Sequence, residues 1–102
     1  MAQPTQAPPG SLTQAIEQAS ALLATDADEA RRQAEVILRH APQDPRASLV
    51  LGSARRRTGD MAGALAILAP LAQAYPRAAL TQYELGLALT ALLTIYVAVL
   101  GL

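Results

Sequence analysis

Apolar residues recur along this chain in five blocks at helical spacing, separated by short polar or Pro-containing breaks. In the first block Leu12, Ala15, Ile16, Ala19, Leu22 and Leu23 share one helical face. Ser11 precedes it with Gln14 three residues on, the spacing of a capping box. Thr25 and Asp26 break the pattern and start the second block, whose stripe is Ala30, Ala34, Ile37 and Leu38. Asp28 and Glu29 fall in its first turn, where carboxylates favour the positive end of the helix dipole, and Arg39 and His40 in its last. Arg31 and Glu35 are four apart on the outer face and can pair for roughly 0.2–0.5 kcal/mol. Pro42 stops this helix. Asp44-Pro45 opens the third, an N-cap followed by a Pro whose missing N–H costs nothing there. Its packed side is Leu49, Val50, Leu51, Gly52 and Ala54. Gly59 ends it and Asp60 caps the fourth, with Met61, Ala64, Leu65, Leu68, Leu71, Ala72 and Tyr75 on one face. Pro70 removes a backbone hydrogen bond and is expected to kink this helix between about Ala66 and Pro70. Pro76 ends it, and a fifth helix starts near Ala78 with Leu80, Tyr83, Leu85, Gly86 and Leu89.

The blocks repeat. With a shift of 34 residues, Asp26, Ala30, Ile37 and Pro42 fall on Asp60, Ala64, Leu71 and Pro76, and Leu51, Gly52 and Ala54 on Leu85, Gly86 and Ala88. A fixed period of this length marks a stacked helical array. Gly in mid-helix costs roughly 0.5–1 kcal/mol relative to Ala, so Gly52 implies a neighbouring helix crossing close by. Ala64 is the small residue expected opposite it, and Gly86 is expected to repeat the arrangement. The connection at Gly59 is too short for anything but antiparallel neighbours. The expected fold is all-α: an open right-handed α-solenoid of antiparallel helix pairs with about two and a half repeats, at 11–44, 45–78 and a partial 79–92. Stable arrays usually need at least three repeats, so marginal stability, or self-association through an exposed last helix, is expected.

Composition narrows this. Apolar residues are 52% of the chain but aromatics only 3%, so the core must be built from Ala and Leu, which suits close helix packing. Eight Arg balance eight Asp plus Glu, which gives no general attraction to nucleic acid. The absence of Cys excludes disulfides and thiolate metal sites and fits a cytoplasmic location. Residues 1–10 are rich in Pro, Gln and Ala, with neither a basic start nor an apolar run, and read as a disordered leader rather than a secretory signal.

The other end differs. Leu85–Leu102 holds eighteen residues without a charge, just at the lower limit for a membrane span. After Leu92 a repeat would continue with a turn and a charged amphipathic helix; residues 93–102 are apolar and β-branched instead. Three readings stand: a truncated or altered repeat, a membrane-contacting tail, and a hydrophobic cap.

The unit from Pro45 to Ala78 resembles a tetratricopeptide (TPR) repeat. The resemblance rests on Leu51-Gly52 in the first helix, small Ala64 in the second, large apolar Leu68 four residues later, and terminal Pro76. Ser48 replaces the family's aromatic before Leu-Gly, and Arg55 its later Tyr. The likeness extends to residues 11–44, without the Leu-Gly, and to 79–92. Residues 49–61 and 66–79 are also similar to the amino-terminal repeats that precede a sulfotransferase domain in some bacterial proteins. The chain has no Gly-rich loop ending in Lys-Ser or Lys-Thr, so any transfer chemistry would belong to a later domain. The family binds extended peptides in a groove lined by the first helix of each pair. Here the resemblance implies Arg46, Leu49, Ser53, Arg56 and Tyr83 as groove residues. The Lys and Asn residues with which one subgroup grips chaperone carboxyl termini are replaced by Ala15, Ala19, Val50 and Ser53, so that activity is not implied.

Catalytic chemistry finds no footing. Arg55, Arg56 and Arg57 point about 100° apart and do not converge; they read as a solvated helix end, with Arg56 nearest the groove. His40 is the only His, without the partners a metal site needs, and reads as a helix-end residue. Asp26, Asp28 and Glu29 are explained as caps and dipole partners. No nucleophile–base pair is apparent. The expected protein is no enzyme and needs no cofactor or metal. It is a scaffold that binds a protein or peptide. The alternatives are a membrane-associated adaptor anchored through Leu85–Leu102 and the non-catalytic amino-terminal part of a sulfotransferase-like protein.

Overall fold

Each helix starts where a short polar side chain can occupy the free N–H groups of its first turn. The structure, a computed structural model, describes residues 10–101 and contains five α-helices. The expected leader, apart from Gly10, lies outside the described residues. The helices are α1 (Leu12–Leu22), α2 (Ala27–His40), α3 (Pro45–Arg57), α4 (Met61–Ala74) and α5 (Ala79–Leu100). Ser11 Oγ accepts from Gln14 N at 3.0 Å; the Gln14 side chain accepts in turn from Gly10 N, one residue before the expected box partner. Asp26 caps α2, Asp44 caps α3 through the N–H groups of Arg46 and Ala47, and Asp60 caps α4. α3 closes in a Schellman arrangement: Gly59 takes φ +92°, its N–H donates to the Arg56 carbonyl, and Asp60 N–H to that of Arg55. α5 is the exception, because its N-cap is Ala78 and no side chain caps it.

The helices pack in chain order, and α1–α3 and α3–α5 also touch. α2 and α4 share no contact. One layer of α1, α3 and α5 therefore faces a second layer of α2 and α4. One core joins Ile16 and Ala19 of α1, Ala34 and Ile37 of α2, and Ala47, Val50 and Leu51 of α3. A second joins Ala64 and Leu68 of α4 to Ala88 of α5. Leu68 is the largest side chain that is fully buried. Ala-rich faces explain how so few bulky residues close two cores: small side chains bring the helix backbones together.

Several local expectations are corrected. The side chain nearest Gly52 is that of Leu68, one turn beyond Ala64: a Cβ at Gly52 would meet Leu68 Cδ2 at 2.6 Å. Gly86 does not repeat this contact, since nothing lies within 4 Å of its Cβ position. Tyr75 is not on the buried face of its helix; it caps the C-terminus of α4 and is 46% exposed. Pro70 lies inside α4, on its exposed side where the unpaired Ala66 carbonyl can meet water, and the helix continues to Ala74. α5 likewise passes the 92/93 boundary without a break. It is why the molecule measures 61 × 28 × 22 Å and its radius of gyration is 15.1 Å, above the ~13 Å of a spherical domain of about 100 residues.

Candidate functional site

The layer of α1, α3 and α5 encloses a hollow. Its volume is about 260 Å³, and its apolar lining is Leu23 from the end of α1, Leu49 and Val50 from α3, and Leu80 from α5. Ser53, Arg57 and Glu84 add the polar groups. Arg57 reaches back along α3, its Nε donating to Ser53 Oγ at 3.3 Å and its Nη1 to the Leu23 carbonyl at 3.5 Å. Among the described residues it faces no carboxylate within ion-pair distance. The hollow is thus an apolar trough with a guanidinium, that of Arg57, and a carboxylate, that of Glu84, in its lining, the carboxylate paired with Arg56.

The residues expected to form a groove are divided by the fold. Leu49 and Ser53 line the hollow. Arg46 stands exposed at the start of α3, paired with Asp44 at 3.1 Å and donating to Thr13 Oγ1 of α1 at 3.3 Å. Tyr83 is 62% exposed and outside the lining. Arg56 is not in the lining of the hollow, and it is largely buried rather than a solvated helix end. It turns to α5, its Nε 3.0 Å from Glu84 Oε2 and its Nη2 3.4 Å from Oε1, with 18% and 6% of the two side chains exposed. Its neighbour Arg57 takes the groove position. Arg55 turns to the opposite side, toward the Gly63 carbonyl and Glu35. The three Arg residues diverge, as helical geometry requires.

The Arg56–Glu84 pair had a signal in the sequence. Thirty-four residues earlier the same two positions hold Leu22 and Val50. Two apolar positions become opposite charges in the same repeat step. A two-point hydrogen-bonded pair of this kind sets register more than it adds stability, because desolvation offsets much of the attraction. Here it fixes how α5 is laid against α3, and with it one wall of the hollow.

Charge elsewhere is spent on helix surfaces. On α2, Asp28 pairs with Arg31 and Arg32, Glu29 with Arg32, and Glu35 with Arg31. The hydrogen bond from Arg31, then that from Arg32, holds the Asp28 carboxyl below its ordinary value. Arg32 does the same for Glu29. Asp44 is lowered chiefly by the Arg46 side chain. None of these carboxylates points into the hollow. Among the described residues no three His, Asp or Glu side chains are placed to share a metal ion. No buried side-chain N or O there lacks a hydrogen-bond partner, so the interior presents no unspent polar group. The hollow combines its apolar lining with the side chains of Ser53, Arg57 and Glu84. No protein-family model, curated protein or solved structure matches the chain.

Proposed function

We propose that the chain is a TPR-like interaction scaffold whose first helices, α1, α3 and α5, hold an apolar peptide or partner helix against Leu23, Leu49, Val50 and Leu80. The observation that carries this reading is the hollow itself: an apolar lining from α1, α3 and α5, with an Arg57 guanidinium that makes no ion pair among the described residues. Short segments gain affinity from a few side chains buried in such pockets. Peptides selected from a random library against the full chain test it. Leu49→Arg fills the trough with charge, and selected peptides are expected to bind this variant about tenfold more weakly or worse. Equal binding would remove the groove.

α5 favours a second reading, a membrane-associated adaptor. An 18-residue window within its 22 residues has a mean hydropathy of 1.8, and only 11% of that window is buried. Geometry limits the idea. Thr81, Glu84 and Ala88 are buried against the body, so the free part is Leu89–Leu100. Those twelve residues rise about 18 Å, against about 30 Å of hydrocarbon. A span therefore requires α5 to leave α4 and expose Leu68. Alkaline washing of membranes from cells expressing the full chain or a form ending at Leu89 separates the cases. Retention of the full chain alone supports the adaptor; release of both leaves the scaffold.

A further inference from the structure

α3 and the first half of α5 share Leu-Gly and a following Ala 34 residues apart, so each carries a glycine at the same place. Gly52 is covered by α4: a Cβ there would meet Leu68 Cδ2 at 2.6 Å and Cγ at 2.7 Å. At Gly86, among the described residues, nothing lies within 4 Å of the Cβ position. The point where α3 receives its partner helix is open on α5. Apolar surface continues from that point. Leu89, Leu93 and Leu100 lie within about 60° of Gly86 around the helix. Leu89, Leu92, Leu93 and Tyr96 border an apolar depression of about 360 Å³. Thr90 and Thr94 return their hydroxyls to the Gly86 and Thr90 carbonyls at 2.8 and 2.9 Å, so neither hydroxyl needs water. No charge follows Glu84.

We propose that this face of α5 receives an amphipathic α-helix from a partner protein, seated as α4 is seated on α3. The occupant presents a large aliphatic side chain over Gly86 and a small residue four positions earlier, the chemistry of Leu68 and Ala64. The α3–α4 packing continued one repeat further is what defines the fit. A strand is a poor occupant, because the backbone N–H groups of α5 are spent within the helix. A lipid surface has no use for a bare glycine on the half of α5 that is pinned to the body by Glu84 and Ala88. A second copy would bring another charge-free helix and leave Ile95 and Val99 of both chains in water, whereas an amphipathic helix brings its own polar outer face.

The probe is a fluorescent peptide of residues 60–75, the α4 sequence with its own cap, titrated against the full chain by anisotropy. Saturable binding is expected. Gly86→Ala should weaken it about tenfold or more, because the new Cβ occupies the space Leu68 would take. The same variant should keep or raise the melting temperature, since that Cβ meets nothing in the free chain. A peptide carrying Leu68→Asp should not bind. Absent binding, or equal binding by Gly86→Ala, overturns the proposal. So would a dimer dissolved by Gly86→Ala in a chain that ignores the peptide, which assigns the face to a second copy. Pelleting with phosphatidylcholine–phosphatidylglycerol vesicles, unaltered by Gly86→Ala and without peptide binding, overturns it in favour of lipid.

Discussion

Gly52 and Gly86 sit at equivalent places in two successive repeats, yet one is buried and the other is open. Around Gly52, α3 and α4 close onto each other through Leu68, and the connection between them is a Schellman turn followed by an Asp cap. Around Gly86, α5 has a body on one side and nothing on the other. Its start lacks the cap that Asp44 gives α3, and its later half carries Leu93 at 63% and Val99 at 78% exposure. A repeat helix is therefore not a stable object in itself. The same residue type is a packing device or a weak point according to what lies across from it.

The largest test of this contrast is a pair of truncations. Leu68→Ala removes a fully buried side chain from the second core and should cost about 2–5 kcal/mol in urea unfolding. Leu93→Ala, on the open side, should change stability by less than about 0.5 kcal/mol. Equal effects would mean that the open face of α5 is covered in solution. Next is the ion pair. Glu84→Ala leaves Arg56 partly buried without its partner and should cost up to about 3 kcal/mol, at the low end for such pairs because the guanidinium keeps some solvent. The double change Arg56→Leu with Glu84→Val restores the residues of the preceding repeat and should recover stability to within about 1 kcal/mol. Failure of that recovery would show the pair to be more than a register device.

The glycines themselves should respond with opposite signs. Gly52→Ala forces Leu68 aside and should destabilise by about 1–3 kcal/mol. Gly86→Ala meets open space and should stabilise by about 0.5–1 kcal/mol. Ala78→Asp sharpens the comparison further: it copies the Asp44 cap onto α5 and should add about 1 kcal/mol.

The smallest effect is set by pH. The carboxyls of Asp28, Glu29 and Asp44 are held below their ordinary values by Arg neighbours, so the folded chain binds their protons less tightly than the unfolded one. Their contribution is complete above about pH 5 and falls away as pH drops through the lowered values. A melting temperature flat from pH 5 to 8 and declining below about pH 4 is the expected profile. The decline should shrink in Asp44→Asn, most at the start of α3.

Much of this was readable before the fold. The caps at Ser11, Asp26, Asp44 and Asp60 and the stop at Gly59 are local devices, set by residues three or four apart, and they stand where the pattern placed them. Pairing of Arg31 with Glu35 was legible for the same reason. The site was legible only in part. Leu49 and Ser53 reach the hollow because the apolar stripe of α3 turns that way. The exchange of Arg56 for Arg57 could not be seen from α3 alone, because Glu84 is 28 residues away and acts across an interface.

Helix number, the capped starts of α1 to α4 and the repeat period came from the sequence by itself, since backbone hydrogen bonding and capping are satisfied within a few residues. Which side chain covers Gly52, that none covers Gly86, and which of three adjacent Arg residues faces the hollow were decided by tertiary structure. Those outcomes depend on crossing distance and on what stands across the interface. Identical local patterns leave both open, because a helix specifies the direction of its side chains but not what they meet.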